Sequence, residues 1–505
     1  MSQQKHIILQ NGSCCKVNEI PLLTYNQFTT HTLELMTNPQ CHCVNYYSYP
    51  VNENAHRFIC CIANDSKAEI YVYGWECLLK ETPKVYSITP ACPALHIFER
   101  EISENTGLIF ENHPWNKPVR WSFDRQDATK VSDNYPFYRI ESEELHQVGV
   151  GPIHAGIIEP GHFRFICNGE KVLHLEIHLG YQHRGVEQLF LQKETLAQQT
   201  ILAESIAGDT VAAHTTAFAH ALESLAGTEV SQNTIHSRTL AIELERVAIH
   251  TGDLSALCTD IAYQPGAAVF QGLRTTLINT FLTWCGNRFA RRLIRAGANP
   301  FPLNIEIKEI ILKNLLAFES RYIEMAEYMF DAPGVLARFE DTGIVTEEQA
   351  RLIGAVGMAA RTCDIRRDIR SSHPYGWFLK KAHHPVCHHS GDVYARAILR
   401  HNEVKQSLSY IRKMLEDLPE EDAIPNKAEL AFTPDSFTIS MTEGWRGEIC
   451  HCAITDSSGK LKHYKIKDPS LHNWFALALA VRNNDISDFP ICNKSFDLSY
   501  CGYDL

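Results

Sequence analysis

The sequence predicts an α+β protein in which a small mixed α/β domain is followed by a larger domain with a helical core. Strand-like runs rich in β-branched and aromatic residues lie at 57–63 and 69–73. Long segments with helical spacing, separated by Gly or Pro, begin at residue 188. The chain has 505 residues, which is enough for two to four domains of about 150 residues each.

The small domain is predicted to span residues 1–125 and to close with an amphipathic helix over 94–104. Apolar residues recur there at helical spacing, and Gly107 follows as a stop signal. Residues 126–147 are polar and mixed in charge, which is typical of a linker. The larger domain is therefore expected to cover residues 148–505.

The larger domain is predicted to open with a β-hairpin and to continue into a helical bundle. The hairpin pairs the segments 163–167 and 172–177 across a turn at Asn168 and Gly169. Helical spacing recurs in five later segments, namely 188–225, 237–260, 270–292, 346–362 and 392–417.

The composition excludes several classes of protein. Lys and Arg number 47 against 59 Asp and Glu, a net charge of −12, so the chain lacks the basic excess of a nucleic-acid-binding protein. No uninterrupted apolar run approaches the ~18 residues that span a bilayer, and the polar start of the sequence lacks the apolar core of a signal peptide. We therefore expect a chain without a transmembrane segment, in a reducing cytoplasm.

The 17 cysteines raise the question of a metal site. Cys-x-x-Cys spacing lets two thiolates face one ion, and this spacing occurs nowhere in the sequence. Cys-His-Cys triplets lie at 41–43 and 450–452, for which buried thiols are the expected alternative to metal ligands. Histidine pairs at 383–384 and 388–389 flank Cys387, where a solvent-facing loop is expected.

Residues 149–190 carry motifs that resemble one known superfamily. They contain Gly-Pro-Ile-His near their start and Leu-Gly-Tyr-Gln-His-Arg-Gly-Val-Glu near their end. Matching motifs follow in order, with Glu-Leu-Glu-Arg at 243–246, Gly-Asp-Val-Tyr at 391–394 and Asp-Pro-Ser-Leu-His at 468–472. The superfamily comprises the large subunits of group 4 membrane-bound nickel–iron (NiFe) hydrogenases and the 49 kDa quinone-site subunit of respiratory complex I.

The first part of the chain resembles a second family. Phe-Glu-Arg-Glu-Ile at 98–102 and Phe-Glu-Asn-His-Pro at 110–114 are similar to motifs of the 30 kDa subunit of complex I, which is often fused ahead of the large subunit. The resemblance implies a 30 kDa-subunit-like α/β domain, followed by a hydrogenase-large-subunit-like domain with an N-terminal hairpin and a helical bundle.

The resemblance to the hydrogenases implies a metal site that this chain has lost. In the hydrogenases, four thiolates from two Cys-x-x-Cys pairs hold nickel and iron. The matching positions here are Ala207, Thr210, Ser499 and Gly502, so none carries a thiol. Cys501 lies beside one of them, but a single thiol cannot supply the ligand set. We therefore expect no metal bound by this chain alone, and no nickel.

The resemblance to complex I implies a site for a quinone in the same cavity. His154 and His162 match a loop of histidines that donate to the quinone, and Asp260 matches the carboxylate behind that loop. Glu187 matches a glutamate expected on a proton path. Arg184 matches the arginine beside the iron–sulfur cluster of a partner subunit, although a local ion pair with Glu187 is the alternative.

Three more residues complete the site that the resemblance implies. The tyrosine that donates to quinone in complex I falls at or beside Asp209, and residues 182–262 contain no tyrosine. Asp209 is therefore the candidate replacement. His250 and Arg274 are assigned to the cofactor side of the cavity, with a hydrogen-bonded core residue as the alternative for His250.

The resemblance implies an oxidoreductase subunit that acts only within its complex. It would pass electrons from an iron–sulfur small subunit to a quinone or another small acceptor, while membrane subunits pump ions. The chain would lie peripherally on the cytoplasmic side of the membrane. Two alternatives stay open. One is a NiFe-hydrogenase large subunit of the hydrogenase-4 or formate hydrogenlyase type, and the other is a non-catalytic scaffold or binding subunit.

Overall fold

The first third of the chain builds a sheet covered by helices. A computed structural model describes residues 4–79, 83–123, 125–155, 158–419 and 429–505. The first elements, in chain order, are β1 (Ile7–Leu9), β2 (Ser13–Lys16), α1 (Tyr25–Met36), β3 (Cys41–Asn52), β4 (Ala55–Asn64), β5 (Glu69–Leu78), β6 (Lys84–Tyr86), α2 (His96–Thr106) and β7 (Ile109–Glu111).

The N-terminal sheet is antiparallel and has the strand order β1-β5-β4-β3. Phe28 of α1 packs its ring against Tyr46, Tyr73 and Trp75, with ring centroids 5.3–6.1 Å apart. The predicted strands lie within β4 and β5. The predicted helix is α2, and Gly107 ends it in the left-handed conformation with φ 72°, where glycine has no Cβ to clash. These predictions are confirmed.

The larger region begins with a hairpin and continues mainly as helices. Its elements are β8 (His146–Val150), β9 (His162–Asn168), β10 (Lys171–His178), α3 (Val186–Gln192), α4 (Leu196–Ala203), α5 (Val211–Ala226), α6 (Gln232–Asp260), α7 (Gln264–Cys285), α8 (Ile305–Asp331), α9 (Pro333–Phe339), α10 (Glu347–Leu352), α11 (Gly357–Arg361), α12 (Ile369–Ser372), α13 (Val393–Glu416), β11 (Ser436–Glu443), β12 (Glu448–Thr455), β13 (Leu461–Lys467), α14 (Ser470–Ala480), α15 (Phe489–Phe496) and α16 (Tyr500–Asp504).

The predicted hairpin and helical bundle are both confirmed. Strands β9 and β10 pair across the turn at Asn168 and Gly169, and β8 adds a third strand to this sheet. Helix α6, which is about 44 Å long at 1.5 Å per residue, packs against α7 on one side and α13 on the other. Nearly all of its side chains are buried. The α+β prediction therefore holds.

Two predicted helical segments are divided. Residues 188–225 form three helices, because the Thr195 hydroxyl caps the start of α4 and residues 204–210 turn before α5 begins. Residues 346–362 form two short helices, α10 and α11, because Gly354 between them and Gly357 at the start of α11 both have positive φ. The continuous helices expected at these places are wrong.

Another sheet joins the two ends of the chain. Its antiparallel strand order is β13-β12-β11-β2, so residues 13–16 pair with residues 436–439. Strands β11 and β12 are buried at every position, because α5 covers one face and side chains of β3 reach the sheet from the N-terminal region. Among the described residues, no helix is long and apolar enough to span a membrane. The division at 126–147 stays a prediction.

Candidate functional site

A cavity of about 830 Å³, here called the polar cavity, brings together four of the predicted site residues. It lies between the loop after β8, the start of α5, the C-terminal half of α6, α7 and the last helices of the chain. Four predicted residues line it, namely His154, Asp209, Asp260 and Arg274. Its apolar wall is formed largely by Phe163, Phe165, Ile249, Phe489 and Leu498.

Backbone hydrogen bonds hold the two histidines of the loop between β8 and β9. His154 Nε2 lies 2.9 Å from the Gly161 carbonyl oxygen, and His162 Nδ1 lies 3.0 Å from the Gly151 carbonyl oxygen. Each ring nitrogen donates, since a carbonyl oxygen can only accept. Only His154 is among the described residues that line the polar cavity. Gly156 of this loop lies outside the described residues.

Asp209 is held in place by Arg446. The two side chains form a bidentate ion pair with distances of 2.6 and 2.8 Å, and the Trp445 indole N–H donates to the Asp209 carbonyl. The Arg446 guanidinium lies 3.9 Å from the centre of the Trp445 ring. Asp209 is therefore an anchored acceptor, and it does not supply the proton donor that the missing tyrosine would supply.

The four positions that match the hydrogenase thiolates come together in space, but they do not fit a metal. Arg446 Nη1 donates to the Thr210 hydroxyl at 3.2 Å, which places a cation at the site. A Cβ on Gly502 would lie only 2.6 Å from the Asp468 carboxyl carbon. Ser499 Oγ accepts the Gly502 N–H and so caps α16. Among the described residues, no group of three or more His, Cys, Asp or Glu could hold a metal ion.

Tyr500 and Asp497 line the polar cavity and were missed in the sequence. Tyr500 packs against Gly161, where a Cβ would come within 2.6 Å of its ring. Burial raises the pKa of Tyr500 to about 12, so its hydroxyl keeps its proton at neutral pH. Residues 182–262 contain no tyrosine, and the phenol that lines the polar cavity comes from the last residues of the chain.

Asp497 has a higher pKa than Asp253 beside it. Burial and the charge of Asp253 raise the pKa of Asp497 to about 7. Burial opposes ionisation of Asp253 as well, but the Arg400 guanidinium at 2.8 Å holds its pKa well below the usual range. Both carboxyl groups line the polar cavity, and Asp497 is the member of the pair with the raised pKa.

Asp260 and Arg274 occupy the outer part of the polar cavity. Asp260 is the last residue of α6 and is exposed. Arg274 on α7 crosses α6 at Gly252, where a Cβ would come within 2.7 Å of its side chain. Asp260 lines the same cavity as His154. It is exposed at the end of α6 and is not buried behind the histidine loop, where the resemblance places it.

Arg184 joins the two segments that match the lost thiolates. Its guanidinium donates to the carbonyls of Ser205 at 2.6 Å, Ile206 at 3.2 Å and Cys501 at 3.4 Å. Glu187 does not pair with it, because the Glu187 carboxylate lies 3.1 Å from Lys465 Nζ. The alternative of a local Arg184–Glu187 ion pair is therefore wrong.

Glu187 lies in a second cavity of about 420 Å³. This second cavity separates the N-terminal sheet from α3 and β13, and its wall includes Arg120, His463 and Tyr464. The Glu187 carboxylate also accepts the backbone N–H of Ile466 at 2.9 Å. Among the described residues, Glu187 lines this second cavity and not the polar cavity.

His250 belongs to a buried ionic network behind the polar cavity. Its Nε2 lies 2.8 Å from a Glu403 oxygen and its ring is fully buried. Helix α6 presents four polar side chains to the protein interior at spacings of three, four and three residues, namely Glu243, Arg246, His250 and Asp253. This periodicity on a buried helix is the signal by which the sequence could have revealed the network.

The buried ionic network contains three arginines and four carboxyl groups. Its members are Glu243, Arg246, His250, Arg361, Asp368, Arg370, His383, Glu403 and Glu443. Burial, followed by the charge of Asp368, raises the pKa of Glu443 to about 7. His383 is buried, with its ring nitrogens 3.0 Å from Tyr410 Oη and 3.1 Å from Asp368. The solvent-facing loop expected there is wrong for His383, because Asp368 draws it inward.

Comparison with protein families agrees with this architecture. Residues 32–127 match the family of the 30 kDa subunit of respiratory-chain NADH dehydrogenase. Residues 260–439 match the family of its 49 kDa subunit. The chain fuses domains of these two families.

Similar curated proteins carry the names of both kinds of complex. Hydrogenase-4 component G of Escherichia coli is 26% identical over 431 residues, covering 82% of this chain and 74% of the relative. Formate hydrogenlyase subunit 5 of the same organism is 26% identical and covers 83% of this chain and 76% of the relative. The C/D fusion protein of NADH-quinone oxidoreductase from Phocaeicola vulgatus is 24% identical, covering 77% of this chain and 80% of the relative. The chain is thus a complex I-like and group 4 hydrogenase-like peripheral oxidoreductase subunit.

Proposed function

We propose that this subunit reduces a quinone or another small acceptor in the polar cavity without nickel. Electrons would come from an iron–sulfur partner subunit, and membrane subunits of the same complex would couple the reduction to ion translocation on the cytoplasmic side. One observation carries the proposal. The polar cavity has an apolar wall and holds Asp497, a carboxyl whose pKa is raised to about 7, together with a neutral phenol, Tyr500.

The residues of the cavity suit the chemistry of a quinone. Reduction to the quinol takes up two electrons and two protons, so the site must donate to both carbonyl oxygens. The Tyr500 hydroxyl can donate a hydrogen bond, and the Asp497 carboxyl can release a proton near neutral pH. Arg274 and Arg446 supply positive charge that stabilises an acceptor as it becomes anionic.

Arg184 would act on the electron-donor side of the site. It ties the segment before α5 to the segment at Cys501 through backbone carbonyls. Its positive charge would stabilise a reduced cluster in a partner subunit docked nearby. In this proposal Arg184 is a positioning residue, because it bonds to the backbone and does not line the polar cavity.

The four lost thiolate positions weigh against the hydrogenase alternative. The space around Thr210 and Gly502 is taken by the Arg446 guanidinium and the Asp468 carboxylate. These two groups are charged and hydrogen-bonded, and neither of them is a soft ligand. No step of the proposed reaction therefore passes through a metal bound by this chain.

The proposal is tested on the affinity-purified native complex. Nickel and iron are measured by elemental mass spectrometry, and the same sample is assayed for hydrogen uptake and for reduction of a short-chain ubiquinone analogue by a low-potential electron donor. We expect iron without nickel, together with quinone reduction. Stoichiometric nickel with hydrogen turnover would establish the hydrogenase alternative, and a complex without iron would favour the scaffold.

A further inference from the structure

Four buried side chains form an unbroken hydrogen-bonded line behind the lost metal site. Asp468 Oδ2 lies 3.0 Å from His214 Nε2, and His214 Nδ1 lies 3.1 Å from His451 Nε2. His451 Nδ1 in turn lies 2.8 Å from the Tyr464 hydroxyl. None of these four residues is more than 1% exposed. Both ring nitrogens of both histidines are used, so the line has no gap between its ends.

The charge of Asp468 sets one direction for all three hydrogen bonds. Burial opposes its ionisation, but the hydrogen bond from His214 keeps the pKa of Asp468 below its usual value, so the carboxylate accepts. His214 Nε2 must then donate, and in a neutral His214 ring Nδ1 accepts from His451 Nε2. His451 Nδ1 is left to accept the proton of the Tyr464 hydroxyl.

One end of the line borders the second cavity, and the other end lies behind Arg446, a residue of the polar cavity. Asp468 packs against Gly502 and lies within electrostatic reach of Arg446, which lines the polar cavity. Tyr464 lines the second cavity, and its ring also stacks on the buried ring of Phe190 with centroids 4.4 Å apart. Helix α5 supplies His214, and strands β12 and β13 supply His451 and Tyr464. The line therefore crosses the region between the two cavities.

We propose that Tyr464, His451, His214 and Asp468 form a proton relay from the second cavity to the wall of the polar cavity. The inference rests on the proposed function for its purpose, since a quinone consumes two protons and Asp497 supplies one of them. The relay would supply the other. Two kinds of titratable group lie beside the line. The Arg446 guanidinium lies near Asp468, and the thiols of Cys450 and Cys452 lie near Tyr464.

The proton balance of one transfer is simple. A proton from the second cavity binds the Tyr464 oxygen as the hydroxyl proton passes to His451 Nδ1. The Nε2 proton of His451 passes to His214 Nδ1, and the Nε2 proton of His214 passes to Asp468. Asp468 becomes a neutral carboxyl, both histidines become Nδ1–H tautomers, and no electron moves. Asp468 then gives its proton to the reduced acceptor in the polar cavity, and ring or proton reorientation of the two histidines restores the first state.

The relay is tested first by measuring proton exchange in the full chain. This measurement does not require the chain to reduce a quinone. The full chain is labelled with ¹⁵N-histidine and transferred to D₂O, and loss of the His214 Nε2–H signal is followed by NMR. We expect Tyr464→Phe to slow this exchange at least tenfold, because it removes the only hydroxyl in the line. An unchanged or faster exchange in Tyr464→Phe would overturn the relay and leave a purely structural hydrogen-bonded line.

A matched phenol serves as the control. Tyr47 is buried in the same region and stacks on His463, with ring centroids 5.2 Å apart. Tyr47→Phe removes a buried hydroxyl without touching the line, so His214 exchange should not change. Should Tyr464→Phe fail to fold, the unmodified chain still decides the matter: both histidines must be Nε2–H tautomers by ¹⁵N chemical shift, and Nδ1–H on either ring would contradict the proposal.

The purpose of the relay is tested in the native complex. Tyr464→Phe should lower quinone reduction at least tenfold and increase the solvent deuterium isotope effect, whereas Tyr47→Phe should change neither. Quinone reduction that is undiminished in Tyr464→Phe would overturn the relay. A native complex that reduces no quinone would instead refute the proposed function, while the exchange measurement still decides the relay.

Discussion

The polar cavity and the buried ionic network are built from the same types of charged side chain, yet they suit different functions. In each, one carboxyl group lies beside other carboxyl groups that have an arginine partner. Asp497 lies beside Asp253, which pairs with Arg400, and Glu443 is the fourth carboxyl beside three arginines. In each, this carboxyl has its pKa raised to about 7. A carboxyl crowded by another carboxylate is thus a predictable site for a proton.

The difference between the two regions is access. Asp497 lines an open cavity of about 830 Å³, whereas Glu443 is sealed, with 1% of its surface exposed. The same electrostatics therefore give a proton that can be exchanged in one place and a proton that only completes the packing in the other. A raised pKa identifies a functional carboxyl only when a ligand or a proton path can reach it.

The largest effect is expected where an arginine is removed from the buried ionic network. Arg361 bonds Glu403 at 2.7 Å and Glu443 at 2.6 Å, and it is fully buried. Arg361→Met should lower the free energy of unfolding by about 3–5 kcal/mol, because it leaves buried carboxylates without a partner. Chemical denaturation of the full chain measures this.

An exposed arginine provides the control for that change. Arg351 pairs with Glu347 at 2.8 Å on the surface of α10, where both side chains are about half exposed. Arg351→Met should change the free energy of unfolding by less than ~0.5 kcal/mol. Equal effects of the two substitutions would mean that the network contributes no more than a surface ion pair.

The second prediction concerns the pH dependence of stability. The pKa of Glu443 is about 7 in the folded chain against 4.5 ordinarily. As pH rises, the Glu443 carboxyl ionises at a lower pH in the unfolded chain than in the folded chain. The contribution of Glu443 to the unfolding free energy therefore falls as pH rises from about 4.5 through 7, by up to about 3 kcal/mol. Between pH 5 and pH 8, the unfolding free energy of Glu443→Gln should depend less on pH than that of the unsubstituted chain. Parallel pH profiles would show that Glu443 is already ionised.

The third prediction separates the accessible proton from the sealed one. Asp497→Asn should slow quinone reduction in the native complex at least tenfold, about 1.4 kcal/mol in the barrier, because the cavity loses its carboxyl donor. In the unsubstituted complex the rate should fall as pH rises through about 7, where Asp497 loses its proton. Glu443→Gln should leave that pH profile of the rate in place. If Glu443→Gln shifted the pH profile of the rate and Asp497→Asn did not, Glu443 and not Asp497 would be the carboxyl that takes part in the reaction.

The smallest effect is expected at the lost metal site. Ser499→Ala removes the hydroxyl that accepts the Gly502 N–H at the start of α16. Loss of this helix cap should cost about 1 kcal/mol of stability, with quinone reduction unchanged. A large loss of activity with stability intact would restore a direct role for this position.

Much of the site depends on residues that sequence patterns cannot bring together. The hairpin and α6 follow from local turn and periodicity signals, and they carry His154 and Asp260 to the cavity. Arg446, which anchors Asp209, lies 237 residues away in the chain. Tyr500 lies far from residues 182–262 in the chain, and only the packing of the last helix against Gly161 brings its phenol to the cavity.

By itself, the sequence determined that no thiol stands at the four positions matching the hydrogenase ligands, and where the hairpin and the long helices form. These properties are set by residue identity and by contacts between near neighbours in the chain. Only the tertiary structure decided that the pKa of Asp497 is raised while that of Asp253 is lowered, that Glu187 belongs to the second cavity, and that His214 and His451 share a hydrogen bond. A pKa and a hydrogen-bond direction depend on burial and on the distance to other charges, and both come from residues that the chain separates widely.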